Sequence, residues 1–366
     1  MTEIYLIRHT QAEGNIYRMM QGHWDGFVTE SGLKQIDFLA ERFRGVHLDA
    51  VYSSDLSRAV ITAKGVTRYN GLPIRTDSRL REIDVGPWTR CFFGNCEWEN
   101  PTQSDYFMFD SEKWQIEGAE TFNDVKERGY DALADIASRH DGETIAVVSH
   151  GVTIRCILAK IKGAPLTDVY TVPICKNTAV SKLIFEDGAF TAEYINDYSH
   201  VGKLGTAPWF DTADLRDEPF QAADDPGYYQ RCYADAWSFA HHGDLTGFDG
   251  ALCRQRSADH LLFRLFDKEK SVGLVELDAK RGAAEGYGWI SLLYLCEEYR
   301  GKGYGVQALA RAIMAFRDLG LPTIRLNVAD ENEAARRFYE KQGFRTLSDD
   351  GRLLLLEKDY GRIEYA

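Results

Sequence analysis

Two groups of residues in this chain have the types and spacing that phosphate chemistry requires. Near the N-terminus, the apolar run Ile4–Ile7 leads directly into Arg8 and His9. Near the C-terminus, the loop Arg300–Gly305 reads RGKGYG and fits the pattern R-x-x-G-x-G. The first group is suited to attack a phosphate covalently, and the second to hold a pyrophosphate through backbone amides. The sequence therefore predicts two separate reaction sites in one chain.

The first group extends to two further segments that also follow apolar runs typical of strands. Ser149–Gly151 follows the run that ends at Val148, and Arg58 lies in the first turn of the helix predicted after Val51–Ser53. In open α/β sheets, ligands bind beyond the carboxyl ends of the strands. If these strands are parallel neighbours, the segments converge on one pocket.

The charges of these segments favour an anionic ligand. A cation beside the positive end of a helix dipole is unfavourable unless an anion lies against the same helix end, and Arg58 is placed in that way. Two guanidiniums, two imidazoles and the backbone amides near Gly151 suit a phosphoryl group, which arginine binds in a bidentate manner. A histidine held in such a pocket can act as a nucleophile and form a phosphoenzyme.

Four segments, in this order, resemble the blocks of the histidine phosphatase, or phosphoglycerate-mutase-like, superfamily. They are LIRHTQAEGN at 6–15, VYSSDLSRAVITA at 51–63, LREIDVGPW at 80–88 and VVSHGVTIR at 147–155. The resemblance covers about the first 200 residues. It implies a three-layer α/β/α domain that uses a small phosphorylated metabolite.

By this resemblance, His9 is the phosphorylated nucleophile, and Glu82 protonates the leaving oxygen and later activates water. The residues implied in phosphate and substrate binding are Arg8, Arg58, His150, Asn15 and Gly151. Thr10 departs from the family's commonest form, which has glycine there, although threonine and alanine are also used. The domain looks compact, which favours hydrolysis of a phosphomonoester over the alternative, a phosphoglycerate-type mutase.

The glycine loop precedes a segment with the apolar spacing of a helix. The loop amides and the N-terminus of that helix can therefore point at the same anion. A dinucleotide-binding loop is excluded because G-x-G-x-x-G is absent, and a P-loop because no G-K-[ST] is present. The segments LLYLCEEYRGKGYGVQAL at 292–309 and LNVADENEAARRFYEKQGF at 326–344 resemble the acetyl-coenzyme A signature of the GNAT superfamily of N-acetyltransferases. This resemblance covers about residues 220–366 and implies an α+β domain with a mixed, mostly antiparallel sheet.

The second resemblance implies acetyl-coenzyme A as cofactor and an amine of a small molecule or protein as acetyl acceptor. The residues expected at the cofactor are Leu295, Arg300, Gly301, Lys302, Gly303, Tyr304, Gly305, Val306 and Asn332. Tyr339, seven residues after Asn332 and on the same helix face, is expected to protonate the departing thiolate. The general base stays open between Glu276, Glu297, Glu298 and a water chain. An alternative is a non-catalytic acetyl-coenzyme A sensor that regulates the first domain.

The apolar spacing also predicts the domain organisation. In the first domain, 1–200, the predicted strands are Ile4–Ile7, Ala50–Tyr52, Thr144–Val148 and Val180–Phe185, and the helices are Gly32–Phe43, Ser57–Thr67 and Ala119–Ser138. The turn Asp187-Gly188 predicts a hairpin that closes this domain. Glycine, proline and aspartate then predict a linker over 201–226, and a new succession of strands and helices predicts a second domain over 227–366.

The composition limits the classes of partner. Hydrophobic residues make up 44% of the chain and aromatic residues 12%, which indicates a globular protein rather than a disordered one. The net charge of -13 disfavours nucleic acid and anionic membranes, although local arginines can still attract an anionic substrate. The seven cysteines are scattered without a C-x-x-C pair, so neither disulfides nor a metal site is predicted, and a cytoplasmic protein is expected. No apolar run approaches the roughly 18 residues that a membrane span needs.

Overall fold

The computed structural model describes residues 1–206, 214–240, 244–251, 253 and 259–360. The chain divides into two compact units, with the boundary near residue 208. Each unit contains one sheet, of six strands in the first and seven in the second. No helix in the described ranges combines the length and apolar character that a membrane crossing requires.

The first sheet brings the predicted segments to one edge. Its strands are β1 (Thr2–Arg8), β2 (Ala50–Ser53), β3 (Ile74–Thr76), β4 (Thr144–Ser149), β5 (Val180–Glu186) and β6 (Ala189–Asp197). The spatial order is β3-β2-β4-β1-β5-β6. β4 pairs in parallel with both β1 and β2, whereas β5 is antiparallel to β1. The carboxyl ends of β1, β2 and β4 therefore meet at the same edge, as convergence on one pocket requires.

Helices cover both faces of this sheet. They are α1 (Glu13–Tyr17), α2 (Glu30–Phe43), α3 (Ser57–Thr67), α4 (Phe93–Glu99), α5 (Pro101–Phe109), α6 (Phe122–Ser138) and α7 (Gly151–Lys162). Side chains alternate along each strand, so Ile7 packs with Leu39 of α2, whereas Leu6 belongs to the core that includes Leu133 of α6. This three-layer α/β/α arrangement confirms the predicted fold class of the first unit.

One predicted helix start differs from the structure because a capping interaction sets the position of the first turn. α6 begins at Phe122 rather than at Ala119, because the Thr121 hydroxyl accepts from the amide of Asp124 and the Asp124 carboxylate accepts from the amide of Thr121. The hairpin between β5 and β6 is present. Asp187 and Gly188 have φ values of 51° and 79°, which suit a two-residue turn between twisted strands.

The second unit has a mixed and mostly antiparallel sheet, as predicted. Its strands are β7 (Arg216–Phe220), β8 (Leu261–Asp267), β9 (Lys270–Asp278), β10 (Tyr287–Leu295), β11 (Thr323–Ala329), β12 (Arg345–Asp349) and β13 (Leu353–Asp359), in the order β12-β13-β11-β10-β9-β8-β7. Its longer helices are α8 (Pro226–Ala240), α9 (Tyr304–Asp318) and α10 (Glu333–Lys341). Among these strands, β10 and β11 form the parallel pair.

The parallel pair separates along its length. β10 and β11 are paired only between Tyr287–Trp289 and Thr323–Arg325. The register of β10 against β9 then shifts between Ile290 and Leu292, as it does at a β-bulge. Beyond this point β10 pairs with β9 alone within the described residues, so its other edge offers backbone groups to a ligand.

The linker prediction needs a correction over part of its length. Within 201–226, Arg216–Phe220 forms β7 and pairs with β8. Leu215 and Phe220 are buried, so this segment contributes to a hydrophobic core. Pro219 concealed the strand from sequence analysis, yet an edge strand tolerates proline because one side of its backbone is unpaired. The second unit therefore starts before residue 227, and residues 207–213 lie outside the described ranges.

Gly65 sets the separation of α2 and α3, which provides a test of this packing. A Cβ there would lie 2.5 Å from Cγ2 of the buried Ile36. We expect Gly65→Ala to lower the free energy of unfolding by about 1–2 kcal/mol, because the clash outweighs the helix propensity that alanine gains. Denaturant titration measures this change. The control Lys64→Ala, on the exposed face of α3, is expected within about 0.5 kcal/mol of the parent, and equal stability of both variants would contradict the close approach.

Candidate active sites

His9 is buried at the end of β1 in a defined tautomer. Its Nδ1 lies 2.6 Å from the carbonyl oxygen of Thr10. Because a carbonyl oxygen only accepts, Nδ1 carries the hydrogen and the neutral ring keeps its lone pair on Nε2. Burial, together with Arg58 and Arg8, holds the pKa of His9 well below its usual value. The ring is therefore neutral near pH 7, as a nucleophile must be.

Arg58 is fully buried in the first turn of α3, and its hydrogen bonds go to neutral acceptors. Nη1 donates to the carbonyl of Trp24 at 2.8 Å and Nη2 to the carbonyl of Gly22 at 2.9 Å, whereas Nε has no acceptor within the described residues. Burial lowers the pKa of Arg58 to about 10, so the guanidinium remains charged near neutral pH. An anion beside Nε would complete its coordination.

Arg8 lies against the start of α7, and like Arg58 it donates to a backbone carbonyl. Its Nη1 donates to the carbonyl of Cys175, while its Nε is buried without an acceptor in the described part of the chain. A side chain at Gly151 would lie 3.2 Å from Cζ of Arg8. Glycine at this position therefore gives the guanidinium room beside the helix N-terminus.

His150 completes the group around His9, with 5.0 Å between the two ring centroids. Its Nε2 lies 2.8 Å from Oγ of Ser54, which also accepts from the amide of Leu56. This arrangement favours donation from the Ser54 hydroxyl to Nε2, so that the ring hydrogen of His150 lies on Nδ1. Nδ1 has no partner among the described residues. Burial and Arg58 lower the pKa of His150, so this ring is neutral as well.

Glu82 is held at the N-terminus of α7. Its Oε1 accepts from the amides of Val152 and Thr153, both at 3.1 Å. The loop that carries Glu82 is fixed by Arg128 of α6, which donates to the main-chain carbonyls of Glu82 at 2.9 Å and Arg81 at 2.8 Å. Sequence analysis missed Arg128, because no motif marks it and its contacts are distant in sequence.

Asn177 is a second residue that sequence analysis missed. Its Nδ2 donates to the carbonyl of His9 at 3.0 Å and to Oδ1 of Asn15 at 3.4 Å. The adjacent Thr178 has φ 59°, a costly conformation for a β-branched residue, and its amide donates to the carbonyl of Arg8 at 3.1 Å. This strained segment thus fixes the backbone of the catalytic candidates and the side chain of Asn15. Nothing in the amino-acid pattern before β5 signals that geometry.

Thr10, which stands where the family most often has glycine, has hydrogen-bond partners for its hydroxyl and its amide. Its hydroxyl donates to the carbonyl of Gly32 at 2.6 Å, and its amide donates to Oγ1 of Thr62 at 2.9 Å. The structure thus places the candidates of the first site at one sheet edge. These are Arg8, His9, Asn15, Arg58, Glu82, His150 and Gly151.

In the second unit, the glycine loop has the conformation that exposes successive amides. Gly301 and Gly303 have φ values of 71° and 92°, which favour glycine. Gly303 is the N-cap residue of α9 and provides no side-chain cap. Nε of Arg300 donates to the carbonyl of Leu295 at 2.8 Å and so ties the loop to the end of β10. The amide of Val306 donates to the carbonyl of Gly303 at 3.3 Å and is therefore already engaged in the helix, unlike the arrangement expected from the sequence.

The start of α9 lies close to α10. A Cβ at Gly305 would approach the Phe338 ring to 3.0 Å. Asn332 caps α10, since its Oδ1 accepts from the amide of Ala335 at 3.0 Å. The ring of Tyr339 is buried with its centroid 5.1 Å from those of Phe338 and Phe344. Burial raises the pKa of Tyr339, so its phenol is protonated at neutral pH.

The three glutamates left open as general base differ sharply in environment. Glu276 is buried, whereas Glu297 and Glu298 are exposed. The Glu298 carboxylate pairs with Nζ of Lys270 at 2.7 Å. Only the buried carboxylate has an environment that distinguishes it from an ordinary surface group.

Comparison with known proteins finds a family model that matches each unit. Residues 4–198 match the model of the histidine phosphatase superfamily (branch 1), and residues 212–344 match that of the acetyltransferase (GNAT) family. Both domain types are those of enzymes.

Individual relatives resemble a part of this chain. Phosphoserine phosphatase 1 of Hydrogenobacter thermophilus is 28% identical over 204 residues, which cover 56% of this chain and 96% of that protein. Probable phosphoglycerate mutase GpmB of Salmonella choleraesuis is 28% identical over 206 residues, which cover 55% of this chain and 95% of that protein. The structure of YhfR from Bacillus stearothermophilus matches with a TM-score of 0.54 and 33% identity, covering 55% of this chain and 100% of that one.

The state of the two buried histidines can be measured directly. Because the pKa of each is lowered in the folded state, we expect His9 and His150 to remain neutral at about pH 6, where an unfolded histidine is mostly protonated. The unfolded chain then binds more protons, so stability should fall as the pH drops below about 6.5.

Nitrogen NMR of the imidazoles checks this expectation, with His9→Asn and His150→Asn variants to assign the signals. Inorganic phosphate should raise both pKa values, because a bound anion offsets the arginine charges. A protonated His9 at about pH 6 without any anion would contradict the account.

Proposed function

This chain belongs to the histidine phosphatase superfamily (branch 1), and we propose that its first unit hydrolyses a phosphomonoester through a phosphohistidine at His9. The observation that carries the proposal is the tautomer of His9, whose Nδ1 donates to Thr10 and whose Nε2 keeps the lone pair for attack. The neighbouring buried arginines supply the charge that a dianionic phosphoryl group needs.

Substrate binding uses donors that are unsatisfied within the described residues. Phosphoryl oxygens accept from Nε of Arg8, Nε of Arg58 and Nδ1 of His150. These donors are already oriented by the carbonyls and the hydroxyl that bind their other nitrogen atoms. Because they are buried and preorganised, they stabilise the charge of the transferring group without further rearrangement.

The chemical step divides into two halves. Nε2 of His9 attacks phosphorus, the N–P bond forms, and the ester P–O bond breaks while Glu82 protonates the leaving oxygen. In the second half, Glu82 takes a proton from water, the water oxygen attacks phosphorus and the N–P bond breaks. Inorganic phosphate and neutral His9 are the products. The Glu82 carboxylate lies at the start of α7, the helix that follows His150, and this position supports both proton transfers.

We propose water as the acceptor rather than a second hydroxyl of the substrate, because the domain is compact. The relatives are named as a phosphoserine phosphatase and a probable phosphoglycerate mutase. Both names refer to small phosphorylated metabolites. A substrate of this class is therefore proposed for the first unit.

Replacement of His9 tests the proposed phosphatase. We expect His9→Ala to lower kcat for para-nitrophenyl phosphate by about 1000-fold or more, because the nucleophile is lost. His47→Ala, which removes an exposed histidine of the same unit, is the matched control and should retain parent activity. Alkaline quenching of the parent should preserve an acid-labile phosphate on the protein, and the His9→Ala variant should show none. Unchanged hydrolysis in that variant would exclude the mechanism.

For the second unit, we propose acetyl transfer from acetyl-coenzyme A to an amine. The residues present fit this cofactor: left-handed Gly301 and Gly303 orient the amides of the loop, and α9 begins without a side-chain cap. The open edge of β10 before Leu295 offers backbone groups to an extended pantetheine arm. When bound, acetyl-coenzyme A supplies the acyl group as a thioester.

Tyr339 is the proposed acid that protonates the departing thiolate. Burial keeps its phenol protonated, and Asn332 fixes the start of the helix that carries it.

We also propose that both reactions take place in the cytoplasm. The seven cysteines, which all lie in the described residues, are thiols rather than disulfides, and this supports the proposal.

The Tyr339→Phe variant separates an acetyltransferase from a sensor. If Tyr339 is the acid, kcat for acetylation should fall about 100-fold, because proton donation to the thiolate is lost. Calorimetry should give an unchanged Kd for acetyl-coenzyme A, which shows that the fold is intact. Acetyl-coenzyme A that alters phosphatase activity equally in parent and variant, with no acetylation by either, would favour the sensor.

A further inference from the structure

A short loop of the first unit contacts both the proposed phosphate-binding arginine and the segment of the proposed acid. This loop, 22–24, follows α1 along the chain. The main-chain carbonyls of its first and last residues accept from Nη2 and Nη1 of Arg58, at 2.9 Å and 2.8 Å. Between them, Nε2 of the partly buried His23 lies 2.8 Å from the carbonyl oxygen of Glu82. The steps proposed above make no use of this imidazole.

The hydrogen on Nε2 of His23 is fixed by the group that it contacts. A carbonyl oxygen only accepts, so Nε2 must donate to it. The other ring nitrogen, Nδ1, lies 3.7 Å from Oδ2 of Asp84. Gain or loss of a proton at Nδ1 leaves the hydrogen on Nε2 in place. The hydrogen bond to Glu82 is therefore compatible with both charge states of the ring.

The same carbonyl oxygen accepts a second hydrogen bond, from Arg128 at 2.9 Å. A carbonyl oxygen has two lone pairs, so the two donors do not compete. Arg128 also donates to the carbonyl of Arg81 at 2.8 Å, and it relates the Glu82 segment to α6, the helix that carries it. His23 relates the same segment to the loop that holds Arg58. The two hydrogen bonds thus locate the segment against different parts of the domain.

The backbones of the two segments approach closely. Gly22 has φ 49°, and a Cβ at this position would lie 2.9 Å from Cγ2 of Val85 and 3.3 Å from its amide nitrogen. Glycine therefore permits loop 22–24 to lie against the segment that begins at Glu82. This close approach brings the short imidazole of His23 within hydrogen-bond distance of a main-chain carbonyl.

The two oxygens of the Glu82 carboxylate are held differently. Oε1 accepts from the amides of Ile83, Val152 and Thr153, each at 3.1 Å. In the described part of the chain, Oε2 accepts from the amide of Val152 alone, at the longer distance of 3.3 Å. Oε2 is therefore the oxygen with capacity to carry the proton to the leaving group. Its distance from the phosphorus depends on where the backbone of Glu82 is held.

We infer that His23 is a positioning residue, which holds the Glu82 backbone at the distance from Arg58 that lets Oε2 reach the leaving oxygen. The inference rests on the hydrolysis proposed above, and His23 itself transfers no proton. Loss of the imidazole leaves the main-chain contacts of loop 22–24 with Arg58 in place. It removes one of the two hydrogen bonds that locate Glu82. Proton donation should therefore weaken while phosphate binding is retained.

The leaving group determines how strongly a displaced acid affects the rate. Para-nitrophenolate is a weak base and departs with little protonation, whereas phenolate is a stronger base and depends more on an acid. Their phosphate esters are similar in shape. For both esters, kcat/KM reports the steps up to cleavage of the P–O bond. A displaced Glu82 should therefore lower kcat/KM more for phenyl phosphate than for para-nitrophenyl phosphate.

Two substitutions of His23 separate the hydrogen bond from the volume of the ring. We expect His23→Leu, which removes the donor, to lower kcat/KM about 30-fold with phenyl phosphate and less than about 3-fold with para-nitrophenyl phosphate. His23→Gln, whose amide restores a donor at a similar reach, should stay within about 3-fold of the parent with both esters. The inhibition constant of inorganic phosphate should change less than about 3-fold in either variant. His47→Leu, at an exposed histidine of the same unit, is the matched control.

Other patterns of loss would overturn the inference. Equal losses with both esters, or weaker inhibition by phosphate, would mean that His23 supports the whole loop and the arginine that it holds. A His23→Gln variant as impaired as His23→Leu would remove the role of the hydrogen bond. Denaturant titration checks that the variants fold. If His23→Leu does not fold, His23→Asn, whose amide ends short of the Nε2 position, should show the same selective loss.

A measurement without substrate separates this inference from the proposed reaction. The amide protons of Val152 and Thr153 report on the Glu82 carboxylate to which they donate. Their NMR signals should move upfield in His23→Leu, because these hydrogen bonds lengthen, and return in His23→Gln. Unchanged signals would overturn the positioning role even if the protein hydrolyses phosphate esters. Shifted signals in a protein that hydrolyses neither ester would support the positioning role and contradict the proposed phosphatase.

Discussion

The burial of two guanidiniums around a neutral histidine is the constraint on which the first site depends. Arg8 and Arg58 donate to backbone carbonyls instead of carboxylates, and each leaves its Nε unsatisfied within the described residues. Burial, together with the same charges, lowers the pKa of His9 and keeps the ring neutral. Parallel pairing of β1, β2 and β4 is what brings these side chains to one edge. An anion would satisfy all of these groups together, which explains why the arrangement suits a phosphoryl group.

The two units shift the pKa of a buried or half-buried histidine in opposite directions. In the first, burial and the neighbouring arginines lower the pKa values of His9 and His150, so the local excess charge is positive. In the second, Glu276 and Asp278 flank His260 and raise the pKa of that imidazole. A buried charge requires compensation, and in the first unit this rule leads to the proposed phosphate ester.

Sequence analysis was most successful for elements in which the reactive residues lie directly beside a strand or helix pattern in the sequence. The strand before Arg8 and the glycine loop before α9 are local patterns, and the structure contains both elements. Asn177 contacts His9 across 168 positions of sequence, and its geometry depends on the left-handed Thr178, so no local pattern could reveal it. β7 was missed because Pro219 is unusual in a strand. Glu276 is buried and Glu297 is exposed, and this difference is not visible in the sequence around either residue.

The most direct test of the central claim is a crystal structure of the protein with orthovanadate, which resembles a transferring phosphoryl group. The account predicts that vanadium is bonded to Nε2 of His9 and that its oxygens accept from Arg8, Arg58 and His150. Nδ1 of His9 should keep its hydrogen bond to the carbonyl of Thr10. Vanadate bonded to His150, or bound away from both arginines, would contradict the proposal that buried guanidiniums and a neutral His9 form the phosphate site.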